Sequence, residues 1–508
     1  MMKRMKTLVG IFLAGALLLS LASCAAAGDA YAPEMPNLDA PDIDMALPSE
    51  DAMPETTPDG DQRPLENPFI RTADQAVATL SADVDTASYA YFRKLIQHGY
   101  TLDALQDLGN HFRTEEFINY FDYDVTAPGE GELFGVDTAL FSCPWNPQNL
   151  LLRMTLQAEV AVNEKGNNLV FLIDVSGSMS SEDKLPLLKK AFETLTQQLT
   201  DRDVVSIVTY SGKEEVVLSG CSGGDTEKIL KAIRSLVASG STNGETGLSK
   251  AYEVAAQNLI EGGNNRIIMA SDGDLNVGIS SSEELKNYVE AKRNAGIYLS
   301  VLGFGTGNYR DSNMEALADN GNGVYYYIDG ESEAKKVFGT DLLGTLYTVA
   351  EDVKLQVTFD PNVVAAYRLI GYENRLLNEE DFTDDTKDAG EVGAGHQVTV
   401  CFELDMGDLA ALPEGEYLSL AVRYKEPGTD TSLENRYSIG SAQRSEMPSA
   451  DDVFLGCVIQ TSMVLRSSQY LGNITPESIL TTLKALDLTA SPERTEFQSL
   501  VQALVGSR

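Results

Sequence analysis

Asp174, Ser176 and Ser178 stand at alternate positions directly after the apolar run Asn168-Leu169-Val170-Phe171-Leu172-Ile173. One carboxylate and two hydroxyls are hard oxygen donors of the kind that suit Mg2+. The run before them is continuous and short, which is how a buried parallel strand reads. An α/β sheet opens its ligand crevice at the C-terminal ends of such strands, so the three side chains fall at a binding edge. The plainer alternative is a polar strand-to-helix turn capped by serine.

Other chemistry-bearing residues have structural explanations. Asp83, Asp85 and Ser88 open a helix, and capping with first-turn dipole matching accounts for them better than a metal does. Asp311, Asn313 and Glu315 also read as capping. Gly303-Phe304-Gly305-Thr306-Gly307 is glycine-rich but lacks the lysine of a phosphate loop. His98, His111 and His396 show no metal spacing. Cys143, Cys221, Cys401 and Cys457 allow three full pairings, yet their spacing suggests no framework, and buried thiols are the expectation. Trp145, in Cys143-Pro144-Trp145-Asn146-Pro147, reads as a packing anchor. The sequence shows no Ser/His/Asp set and no Cys/His pair for nucleophilic catalysis.

The elements that must position these residues follow a simple plan. Residues 166–350 alternate strand and helix, the signature of a mostly parallel sheet. A long last helix is expected over 331–349. Residues 69–165 read as helices followed by β strands. Residues 351–430 are β-rich, with an acidic loop at 379–395. Residues 431–508 read as a helical region. β segments thus flank the α/β block, and the simplest arrangement packs 132–162 with 351–430 in one sandwich that carries the α/β domain as an insertion.

Asp174-Val175-Ser176-Gly177-Ser178 resembles the Asp-x-Ser-x-Ser of the metal-ion-dependent adhesion site of the von Willebrand factor type A (vWA) family. That motif adds a distant threonine and a distant aspartate. Thr242, in Gly240-Ser241-Thr242-Asn243-Gly244, and Asp272, ending the strand before Gly273, occupy the matching places. The resemblance therefore implies a Rossmann-like vWA domain and a metal set of Asp174, Ser176, Ser178, Thr242 and Asp272. Two carboxylates formally neutralise one divalent ion, while the hydroxyl oxygens leave it electrophilic. Mg2+, with Mn2+ or Ca2+ as alternatives, would then accept an Asp or Glu from a partner protein. Family members couple such binding to movement of the last helix. Asp274 and Asn276 continue the loop and either hydrogen-bond metal waters or form a turn. Beyond the domain, Asp83–Ala90, Asn119–Tyr123, Pro144–Pro147 and Leu465–Gly472 resemble a bacterial family of vWA lipoproteins with their own N- and C-terminal regions. One departure is Ser271, where a threonine often precedes the Asp-Gly pair.

Composition narrows the partners. Lysine and arginine number 38 and aspartate and glutamate 76, for a net charge of −38. Such a surface repels phosphate backbones and argues against nucleic acid. Lys3, Arg4 and Lys6 precede a short apolar core, which reads as a signal peptide over 1–23. Leu21-Ala22-Ser23-Cys24 resembles a lipobox, implying lipidation of Cys24 and a membrane anchor on the exported side of a bacterial cell membrane or outer membrane. Residues 24–68 are acidic and Pro-rich, a tether reaching on the order of 40 Å or more. The expectation is an envelope-anchored, metal-dependent protein-binding module rather than an enzyme. The alternatives are a metal-dependent envelope enzyme and a structural envelope protein with a non-binding site.

Overall fold

A computed structural model of the protein describes residues 66–160, 165–240, 245–273, 282–305, 311–341, 344 and 346–506. The expected leader with Cys24, nearly all of the expected tether, and the site candidates Thr242, Asp274 and Asn276 lie outside the described residues.

Among the described residues six strands form the α/β sheet. In spatial order they are Tyr325–Ile328, Tyr298–Phe304, Asn264–Ser271, Asn167–Asp174, Val204–Tyr210 and Glu214–Ser222. Neighbours run parallel except the last pair. Strand Asn167–Asp174 is buried along its whole length, and its side chains serve both faces. Leu169, Phe171 and Ile173 join a core with Leu188 and Phe192 of helix Leu185–Thr196. Val170 and Leu172 join a second core with Leu248 and Tyr252 of helix Glu245–Gln257. Burial on both faces is why the strand is apolar without alternation.

Two further sheets make the sandwich. One runs Ile70–Arg71, Ala366–Ile370, Gln397–Asp405, Leu150–Ala158, Phe134–Ser142. The other runs Leu376–Leu377, Val77–Ser81, Thr348–Phe359, Glu416–Lys425, Ser432–Gly440. Their inner faces meet through Phe359, which stacks on Tyr367 at 4.1 Å and meets Phe402 at 5.5 Å. Strand Leu150–Ala158, before the α/β block, pairs directly with Gln397–Asp405, after it. The α/β block thus leaves the sandwich after Ala158 and returns at Thr348.

The structure corrects three expectations. The helix expected over 331–349 is broken: Glu331–Lys335 gives way to a wide π-helical turn over Lys336–Thr340, and helical residues recur at Gly344 and Leu346. Gly339, in the π-helical turn, is a poor α-helix residue, and β-branched Thr348 and Val349 already belong to the strand Thr348–Phe359. The region after 431 begins with a strand, Ser432–Gly440, and not a helix. It is a half-exposed sheet edge carrying Glu434, Asn435 and Arg436, so it lacks the apolar alternation that marks a strand. Helices Ala450–Leu465, Pro476–Leu483 and Pro492–Gly506 follow. Finally, Asp83 and Asp85 do not cap helix Ala87–Gln97, whose N-cap Thr86 makes no side-chain bond. Both face Arg375, at 3.2 and 3.6 Å, and Asp85 Oδ1 accepts from Tyr325 N at 3.0 Å. That group joins the N-terminal helices, the edge of the α/β sheet and the sandwich.

A second buried node, at Arg93 of helix Ala87–Gln97, ties further parts of the chain together. Arg93 donates from Nε and Nη2 to Asp329 at 2.6 Å each, and to Glu333 at 2.6 Å. Its Nη1 reaches Tyr120 at 2.7 Å and Glu496 at 3.0 Å. The helix Glu331–Lys335 is thereby tied to both the N-terminal and C-terminal helices. All four expected thiols, Cys143, Cys221, Cys401 and Cys457, are buried and unbridged. Trp145 is buried and donates to Glu403 at 2.8 Å, beside Arg368 on the same carboxylate at 2.8 Å. Among the described residues no helix is long and apolar enough to cross a membrane.

Candidate metal centre

Asp174 is the last residue of its strand and is fully buried. Its Oδ1 accepts from Ser176 N at 2.8 Å, which turns the chain sharply out of the sheet. Ser176 then precedes a single 3-10 turn, Gly177–Ser180, without capping it. The Ser176 and Ser178 hydroxyls lie against each other at 2.9 Å. The serine-capped-turn alternative therefore does not describe this loop: its hydroxyls face one another instead of the turn's backbone.

Strand Asn264–Ser271 is the parallel neighbour, in register with Ile173 opposite Ala270. Asp272 follows it directly, so the two carboxylates leave adjacent strand ends. Gly273, at φ 94°, makes the tight exit that follows. The loop that leads toward Thr242 is fastened to the serine loop by backbone bonds: Ser239 N donates to Val175 O at 2.7 Å and Gly177 N to Gly240 O at 3.0 Å. Gly240 sits at φ 85°, and a Cβ there would meet Ser211 Oγ at 2.6 Å. The structure thus brings Asp174, Ser176, Ser178 and Asp272 to one edge, with the described end of the third loop docked on it.

The electrostatics are those of an acidic pocket with one internal cation. Asp272 is 3% exposed. Its Oδ2 holds Lys184 Nζ at 2.9 Å, and its Oδ1 is buried with no hydrogen-bond partner among the described residues. Burial, followed by the Asp174 carboxylate, pushes the Tyr210 hydroxyl well above its ordinary pKa. Two buried carboxylates, two facing hydroxyls and an acceptor oxygen in want of a donor or cation fit a divalent ion.

Lys184 is the residue that the motif did not single out. A signal existed: a lysine at the start of helix Leu185–Thr196 opposes the helix dipole, so some other partner had to hold it there. Gly305, at φ 77°, lets the neighbouring strand end pass the lysine stem, since a Cβ would stand 2.2 Å from Lys184 Cε. Gly305, the first glycine after Tyr298–Phe304, serves this close approach.

A mostly parallel six-stranded sheet, helices on both faces and Asp-x-Ser-x-Ser at the central strand end define a vWA domain. Comparison with known proteins agrees. The description "von Willebrand factor type A domain" matches residues 168–340, "von Willebrand factor" matches 60–153, and "Uncharacterized protein YfbK, C-terminal" matches 344–505. "Uncharacterized protein YfbK" of Escherichia coli (strain K12) is 38% identical over 439 residues, covering 82% of this chain and 75% of that protein. The chain belongs to this bacterial family of vWA proteins. The human "Inter-alpha-trypsin inhibitor heavy chain H3" is 26% identical over 275 residues, 49% of this chain and 30% of that one. A solved "von Willebrand factor type A from Catenulispora acidiphila" is 16% identical, with a TM-score of 0.40 over 76% of this chain and 89% of that one. Domains of the vWA class mediate protein–protein interactions and often bind a divalent metal.

Proposed function

We propose that this protein is a cell-envelope-anchored binding module that captures an acidic side chain of a partner protein through Mg2+ held at Asp174, Ser176, Ser178, Thr242 and Asp272. The carrying observation is Asp272 Oδ1, a buried carboxylate oxygen with no donor among the described residues, at the end of the strand neighbouring the one that leads to the facing Ser176 and Ser178 hydroxyls. When bound, Mg2+ supplies a positive centre that an outside carboxylate can complete. The chain's own part is orientation: the Ser176 amide fixes Asp174, and the Gly240–Gly177 bond holds two of the loops together. Asp274 and Asn276 would steady metal waters. The role is binding, not catalysis. The Leu21-Ala22-Ser23-Cys24 sequence supports lipidation of Cys24 and a place on the exported side of the membrane, with residues 24–68 as the tether.

Calorimetric titration of the full chain with Mg2+ and Mn2+ tests the metal. Heat is expected for the wild type, with one binding event fewer in Asp174→Ala; a wild type without heat overturns the reading. Capture of envelope proteins with and without EDTA tests the partner, and the same proteins recovered in both exclude metal-bridged binding. Palmitate incorporation into the wild type, lost in Cys24→Ala, checks the anchor.

A further inference from the structure

A second group of carboxylates lies far from the vWA loops, where the sandwich meets the α/β block. Strand Thr348–Phe359 breaks register with strand Gly390–Gly393 between Ala350 and Val353. Asp352 sits in that break, at φ 53°. Asp352, Asp388 and Glu391 each turn a carboxylate oxygen inward, and these oxygens all lie within 4.8 Å of one another.

Three acids together are common on a surface and prove little. Glu391 is different. It is 8% exposed, and among the described residues no hydrogen bond or ion pair reaches its carboxylate. Its companions are served: Asp352 accepts from Ala389 N at 3.0 Å and from Lys425 Nζ at 2.6 Å, and Asp388 holds Arg293 at 2.8 Å. A buried carboxylate is stable only when neutralised by a proton, a basic side chain or a metal. The Arg293 charge acts on Glu391 and offsets its burial only in part, without an ion pair to it among the described residues. Burial, then the charges of Asp388, Asp319 and Asp352, push Glu391 well above the ordinary carboxylate range. The surrounding segment Glu379–Glu391 holds seven acids against one lysine, so it attracts cations from solvent.

We propose that Asp352, Asp388 and Glu391 form a second divalent-cation site, one that prefers Ca2+ and clamps the sandwich strand Gly390–Gly393 to the bulge in Thr348–Phe359. The preference follows from the donor set: Ca2+ accepts irregular sets of carboxylates completed by backbone oxygens and water, such as a bulge and an acidic loop supply, whereas Mg2+ demands near-ideal octahedral geometry. Arg293 belongs to helix Ser282–Arg293 of the α/β block and Lys425 to the sandwich, so the ion would lie at the seam between the two. This site is independent of the one at Asp174.

Calorimetric titration of the full chain with CaCl2 tests the proposal, with wild type beside Glu391→Gln and Asp388→Asn. Each variant is expected to bind one Ca2+ fewer per chain, or to bind it at least tenfold more weakly. Asp174→Ala is expected to keep this binding event. Asp388 is exposed, so its variant tests the site even where replacement of Glu391 disturbs folding. Wild-type Ca2+ stoichiometry and affinity in both variants overturn the proposal. So does a Glu391→Gln protein whose melting temperature is at or above that of the wild type and rises equally with Ca2+, since that is the behaviour of a merely protonated acid.

Discussion

Buried carboxylates are treated in two ways in this molecule. At Arg93, Asp329 and Glu333 share one guanidinium, and all three side chains are at most 2% exposed. At the end of the central strands, Asp174 and Asp272 are equally buried, yet one flexible lysine serves Asp272 through a single oxygen. The first arrangement uses every strong partner to hold three parts of the chain together. The second leaves acceptor capacity unused at a surface-reaching edge, which is a cost in stability that only a ligand removes. Assembly and binding are thus told apart by what neutralises the acid: a rigid arginine fork inside the seam, or something that must arrive from outside.

That contrast can be broken at its strong end first. Arg93→Met leaves Asp329 and Glu333 buried without their cation and should cost about 3–5 kcal/mol; an unchanged denaturation midpoint in urea would remove the distinction. Next in size is a titration. Burial lowers His396 to about 4 from 6.5, with Asp341, Lys336 and Arg266 as its charged neighbours. The folded protein keeps this imidazole neutral while the unfolded chain protonates it. Stability is therefore full above pH 6.5 and falls as pH drops toward 4, by on the order of 3 kcal/mol. Urea denaturation at pH 7 and pH 4.5 should show the slope, and His396→Gln should flatten it.

Trp145→Phe removes one of the donors on buried Glu403 and is expected to cost about 1–3 kcal/mol, read as a lower thermal midpoint. The smallest effect on stability belongs to the open site. Asp272→Asn loses the Lys184 contact but also relieves repulsion from Asp174, for a net change below about 1 kcal/mol without divalent ions. The same variant should lose any Mg2+-dependent rise in melting temperature. A large destabilisation instead would place Asp272 among the assembling acids.

Much of this was legible because the central strand and its loop are local. Asn168 to Ser178 contains the apolar run, the turn and the donors in sequence, and the two-sided burial of Leu169 to Ile173 leaves a pattern that needs no partner to read. The long-range partners left no comparable trace. Lys184 looks like any helix-starting lysine until Asp272 is placed beside it. Asp83 and Asp85 have the spacing of a helix cap, but their partner is Arg375, nearly 300 positions later. The strand Ser432–Gly440 escaped because an edge with a wet face carries few apolar residues. The over-long helix at 331–349 arose from reading an α-helix through the Lys336–Thr340 turn that holds Gly339 and on into the strand that begins at Thr348.

The insertion has a consequence for the order in which the molecule can be made. The side chains of Gln157 and Gln397 bond between neighbouring strands of one sheet, 240 positions apart. Every strand of the α/β block has been synthesised before the sandwich receives the strand beside Leu150–Ala158. Closing a loop of that length before any pairing rewards it is slow. The guest can therefore gather its core early, while the host waits with four strands in hand. A ribosome that stops anywhere between 350 and 396 would leave a finished guest on an unfinished host, with the edge of Leu150–Ala158 exposed to whatever strand comes first.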